Sequence, residues 1–177
     1  MSIVPHTFRL LLLLLLPFLG FITSCSSQVK AKDPVAYNFE NGRTAILRDG
    51  IAIAPRSAPA AVKRAIAAGN RLQGKPYKWG GGHGKDIDTG YDCSGTTSYV
   101  LREAGLLEGS LTSRGYFAYG KKGYGKWISI FTRNGHVFMT IAGLRLDTGG
   151  GSDRTGPLWK TKTRPAKGHV VRHPPGL

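Results

Sequence analysis

Between Trp127 and Thr148 apolar and polar side chains alternate in three short runs separated by turn residues, the period-two pattern of antiparallel strands. Trp127–Phe131 is the first run, Asn134-Gly135 the turn, His136–Ile141 the second run, Ala142-Gly143 the next turn and Leu144–Thr148 the third. A two-residue turn at Ala142-Gly143 pairs Leu144 with Ile141 and Leu146 with Met139, which completes an apolar face that also holds Val137. The other face then carries His136, Phe138, Thr140, Arg145 and Asp147. A further strand is expected at His169–Arg172. Upstream, helical spacing replaces alternation. Ala60–Leu72 sets Val62, Ala65, Ile66 and Gly69 on one stripe and is closed by Gly74. A second helix is expected from Cys93 through Leu107, with Val100, Leu101, Ala104 and Leu107 buried. Asp49-Gly50, between Ala45–Arg48 and Ile51–Ala54, reads as a type I′ hairpin, because both turn residues tolerate positive φ. A helix pair followed by antiparallel strands is an α+β pattern.

The first 24 residues read as a targeting segment. Arg9 precedes an apolar run from Leu10 to Ile22, which includes seven consecutive leucines and is short for a membrane span. It ends Ile22-Thr23-Ser24-Cys25, which looks like the lipobox of bacterial lipoproteins, with Cys25 as the lipidated residue and the membrane as its partner. An ordinary signal peptide cut nearby is the alternative. The chain is thus expected to be exported and lipid-anchored to the cell envelope, at the outer membrane in a diderm host, since Ser26 and Ser27 follow the cysteine. Residues 25–57 are read as a lipid-anchored tether with the hairpin as lead-in, Ser26–Pro34 being polar and mobile, and residues 58–177 as the functional domain.

A chain starting at Cys25 would keep 153 residues (177 − 24), enough for one domain with a real core. Without Arg9 its charge is +14 (24 − 10), which favours anionic partners. An exported protein rarely meets nucleic acid, so no nucleic-acid partner is expected; wall peptides with free carboxylates and anionic headgroups fit better. A monomer is expected.

There are two cysteines, Cys25 and Cys93. If lipid consumes the first, Cys93 is a lone thiol in an oxidising compartment, and its position at a helix start suits a nucleophile: unpaired first-turn N–H groups and the positive end of the helix dipole favour a thiolate. Asp92 beside it suits a helix cap better than catalysis. Strand parity selects His136 as the base, and puts Asp147 diagonal to it on the same face, as orienter of the imidazole. A turn histidine and a surface carboxylate paired with Arg145 are the plainer alternatives. Gly74–Gly84 fits neither the dinucleotide nor the P-loop spacing, and reads as a loop that lets backbone approach a substrate closely, with His83 lining the cleft. No Cys/His/Asp/Glu set has metal-ligand spacing, so neither metal nor organic cofactor is expected.

Tyr77-Lys78-Trp79-Gly80-Gly81, then Asp92-Cys93-Ser94-Gly95 at a helix head, then Gly135-His136-Val137 on a strand resemble the NlpC family of papain-like cysteine peptidases. The resemblance covers residues 60 to about 150. It implies a papain-like α+β fold with helices packed on a central antiparallel sheet, and cleavage of peptidoglycan stem peptides. It also implies catalytic roles for Cys93 and His136 and a cleft lined by Tyr77; Trp79, Ser94 and His83, which neighbour these motifs, are further candidate substrate contacts. The third catalytic position, often a histidine or an amide residue in that family, falls here to Asp147. A non-catalytic wall-binding module of the same fold, and a related amidase or acyl transferase, are the alternative functions. The family's usual Pro-Gly-Asp-Leu strand before the histidine is replaced by Trp127–Phe131, and the 109–126 loop also departs from the pattern. Both departures bear on the substrate more than on the catalytic pair.

Overall fold

The computed structural model describes Met1, residues 27–149 and residues 153–177. The targeting segment after Met1 and the lipidation site Cys25 lie outside the described residues. Among the described residues no helix is long and apolar enough to cross a membrane.

The fold is α+β. Two short strands, β1 (Ile46–Arg48) and β2 (Ile51–Ile53), form a separate antiparallel hairpin. Asp49 and Gly50 take φ values of 49° and 78°, as a two-residue turn of positive φ requires. Two helices follow, α1 (Ala60–Arg71) and α2 (Cys93–Glu103). The remaining strands are β3 (Lys121–Lys122), β4 (Ile128–Arg133), β5 (His136–Ile141), β6 (Leu144–Asp147), β7 (Leu158–Lys160) and β8 (Val170–His173). They make one antiparallel sheet in the order β3-β8-β4-β5-β6-β7. The expected register holds: Ile141 pairs with Leu144, Thr140 with Arg145 and Met139 with Leu146.

One sheet face and the helices share the main core. Val62, Ala65 and Ile66 of α1, Val100 and Leu101 of α2, and Val137, Met139, Ile141, Leu144 and Leu146 are all buried in it. Gly69 belongs to this contact because the Trp159 indole lies against it: a Cβ there would sit 2.4 Å from the ring. Asn70, one residue on, accepts from Trp159 Nε1 (2.9 Å) and from the Ala52 N–H (2.9 Å), tying α1 to β7 and to the hairpin.

Three expectations are corrected. Helix α2 stops at Glu103 and not at Leu107, because Gly105 takes φ 74° and the N–H groups of Gly105 and Leu106 turn back to the carbonyls of Arg102 and Leu101 (2.8 Å each). The 109–126 stretch is less loop-like than its composition suggests. It holds a 3₁₀ turn at Gly115–Ala118 and the short β3, with Tyr116 fully buried and its hydroxyl 2.9 Å from Ser98 Oγ. Finally, the segment expected to be a mobile tether is pinned. The Val171 N–H donates to the Val29 carbonyl (2.8 Å), the Ala31 N–H to His169 (2.9 Å), and Val35 and Arg164 exchange two bonds. Ala31 and Val35 thereby close the second sheet face over Phe131, Phe138, Ala166 and Val171. Main-chain bonds to Arg164, His169 and Val171 hold this strap in place, so polar side chains do not free it.

Candidate active site

Asp92 fixes the start of α2. Its Oδ1 accepts the Gly95 N–H (2.7 Å) and the Ser94 hydroxyl (3.0 Å), and its Oδ2 accepts the Gly80 N–H (3.0 Å). The capping role expected for it is the one it plays, and it also staples the glycine loop to the helix. At Gly81 that loop also packs directly on the helix. A Cβ on Gly95 would lie 1.9 Å from the Gly81 carbonyl oxygen, so at this point two backbones touch and only glycine fits.

Cys93 is therefore presented at the first turn of a helix whose position is set by backbone contact. It is the free cysteine among the described residues, partly exposed, and lines a cavity of about 380 Å³ together with Tyr77, Trp79, His83, Ser94 and Gly135. Trp79 is 83% exposed and stands at the rim. Over the Tyr77 ring lies the Arg154 guanidinium, 5.9 Å from the centroid. Burial and the neighbouring Cys93 and Asp92 raise the Tyr77 pKa, so its phenol stays protonated. His83 is held on three sides: Nδ1 is 2.6 Å from Ser110 Oγ, and Nε2 is 3.2 Å from both Asp92 Oδ1 and Ser94 Oγ. The Ser94 hydroxyl is thus spent within this network while the residue lines the cavity. Thr112 and Ser113, from the 109–126 stretch, line the same cavity; sequence reading missed both, and their unpatterned setting offers no signal for them.

His136 begins β5, buried, and its ring meets Cys93 at the sheet's end. Its Nε2 is 3.1 Å from Asp147 Oδ1, which leaves Nδ1 for the thiol. Burial by itself lowers the His136 pKa, but the Asp147 hydrogen bond and the adjacent Cys93 outweigh it and the net shift is upward. Asp147 is no surface charge: it is 1% exposed. Its second oxygen, Oδ2, receives the Arg145 guanidinium and Arg164 Nη1 (3.1 Å). Burial pushes the Asp147 pKa up, yet the His136 hydrogen bond and the charges of Arg164, His136 and Arg145 reverse this, so the carboxyl is held below its ordinary value. Arg145 was expected on this face; Arg164 was not, because it lies in the stretch between β7 and β8 that shows no periodicity.

Cys93, His136 and Asp147 thus stand together, with Tyr77, Trp79, Ser94 and His83 around the thiol. A thiol beside an imidazole whose far nitrogen meets a buried carboxylate can attack a carbonyl and return the proton to a leaving group. Among the described residues no group of three or more His, Cys, Asp or Glu side chains is placed to hold a metal ion. Comparison with protein-family models and with curated proteins gives no match for this chain.

Proposed function

We propose that this protein is a papain-like thiol hydrolase of the NlpC type, which cleaves amide bonds in the stem peptides of peptidoglycan. The observation that carries the reading is the contact chain from Cys93 through His136 to Asp147, in which Nε2 of the imidazole meets the carboxylate and the ring also meets the thiol. In this mechanism His136 takes the Cys93 proton, Sγ bonds to the amide carbon, and the carbon–nitrogen bond breaks as His136 protonates the leaving amine. Water then hydrolyses the thioester with His136 as base. First-turn N–H groups of α2 are the donors for the developing oxyanion. Asp147 holds the imidazole's tautomer and stabilises its charged form. Export and lipidation at Cys25 belong to the same proposal, since they would place the enzyme beside its substrate, and the charge of +14 left on the chain after Arg9 is removed (24 − 10) suits a wall rich in carboxylates.

The test is digestion of purified peptidoglycan, with the fragments identified by mass. The expected result is new amine and carboxyl termini within stem peptides, absent with Cys93→Ser. Peptidoglycan left uncut by folded wild-type protein, or cut equally by Cys93→Ser, would overturn the reading.

A further inference from the structure

A second cavity, of about 280 Å³, is lined by His136, whereas the first is lined by Cys93. Gly135 lines both, so the two cavities adjoin, as two lobes, at the turn that leads into His136. The lobes differ in chemistry. Tyr77 and Trp79 give the thiol side an aromatic wall. The other lobe is lined by Arg133, Lys160 and Arg164 against one carboxylate, Asp153, a balance of +2 (3 − 1). Asp153 is turned to its own loop, accepting the Thr155 N–H at 2.9 Å. Arg164 gives one nitrogen to Asp147, while its buried Nε has no partner. Nor does Asp147 neutralise the lobe, because its charge is shared among His136, Arg145 and Arg164.

Resting on the hydrolase reading above, we propose that this basic lobe is a subsite for a carboxylate carried by the amine half of the substrate. The direction follows from the proton. When the carbon–nitrogen bond breaks, His136 must reach the leaving nitrogen, so whatever is bonded to that nitrogen lies on the His136 side of the cleft. The acyl half stays over Cys93, between Tyr77 and Trp79. A carboxylate a few atoms beyond the scissile nitrogen then meets the charges of Arg133, Lys160 and Arg164. The ligand class is an amino acid or peptide leaving group with an unblocked carboxylate.

The experiment uses a synthetic stem peptide with all carboxylates free, and copies of it amidated at one carboxylate at a time on either side of the cleaved bond. For the wild type, amidation on the amine half should lower kcat/KM about ten-fold or more, the loss of one charge-assisted contact, while amidation on the acyl half should not. In Arg133→Gln/Lys160→Gln the ratio between free and amine-half-amidated peptides should fall toward one. That ratio is taken within one preparation, so partial loss of folded enzyme cancels. Added sodium chloride should also shrink the wild-type ratio, which supplies a reading even if the double variant does not fold. Equal cleavage of free and amine-half-amidated peptides by the wild type, or a ratio unchanged in the double variant, overturns the subsite and leaves the hydrolase reading standing. Cleavage of no peptide by folded wild type overturns both.

Discussion

Replacing Asp147 by asparagine changes one atom's chemistry in a site with no freedom to absorb it. The carboxylate is 1% exposed and its two oxygens have separate duties, Oδ1 toward His136 and Oδ2 toward Arg145 and Arg164. Guanidinium groups can only donate, so in Asp147→Asn they claim the amide oxygen. The amide nitrogen then takes the place of Oδ1 and aims a donor at His136 Nε2. That nitrogen must now accept, which puts the imidazole's proton on Nδ1, the side facing Cys93, and leaves no base for the thiol. A wrong tautomer costs about 10⁴ in turnover, or about 5 kcal/mol in barrier. Asp147→Ala removes the donor as well as the acceptor and leaves the ring free to take either tautomer, so its kinetic loss should be smaller. Its stability loss should be larger, because two guanidinium groups lose their buried counter-charge. Breaking such a pair costs about 3–5 kcal/mol, a large part of a total near 5–15 kcal/mol. Measuring kcat/KM on a stem peptide at neutral pH, beside urea unfolding of both variants, separates the two effects. Asparagine activity within about ten-fold of wild type, or above that of alanine, would refute the reasoning.

Cys93→Ser should keep the urea midpoint of the wild type and abolish turnover, and residual peptidoglycan cleavage by the soluble variant would remove the nucleophile assignment. Since Asp147 is held below its unfolded value of about 3.9, the unfolded chain takes up the proton first, and the stability this gives is full above about pH 4 and lost as pH falls through the folded value. The urea midpoint gap between wild type and Asp147→Asn should therefore narrow in acid; a gap independent of pH would contradict the ion-pair account. Gly95→Ala puts a Cβ 1.9 Å from the Gly81 oxygen and should cost about 2–4 kcal/mol together with activity, whereas a change under about 0.5 kcal/mol would mean that the loop yields. Feeding a fatty-acid analogue should label the wild type and leave Cys25→Ser unlabelled, and equal labelling would end the lipoprotein proposal.

The elements that could be read from sequence are those in which side-chain pattern and turn chemistry agree. Ala142-Gly143 fixes a two-residue turn, the alternation of Val137, Met139 and Ile141 fixes the face, and the two together place Asp147 on the face of His136, where the structure has it. What escaped depends on backbone pairing or on partners far away in the chain. Strand β7 has three residues with only Trp159 buried, too short for alternation to register. Arg164 reaches Asp147 only because its own backbone is paired with Val35. The hydropathy of residues 26–34 says nothing about main-chain bonds to Val171 and His169, so a polar stretch reads as a free one. In the glycine loop, composition signals a close backbone approach, but the contact of Gly81 with Gly95 of helix α2 has no sequence pattern of its own.

The strap also sets a leash length. Its first bond to the sheet is at Val29, four residues after Cys25 (29 − 25), and four residues of fully extended chain span about 14 Å at most. An acylated Cys25 would therefore hold the folded domain close against the bilayer, with no slack to search outward. Such an enzyme would work as a fixed station, cutting only those peptides that the wall itself brings to the membrane surface.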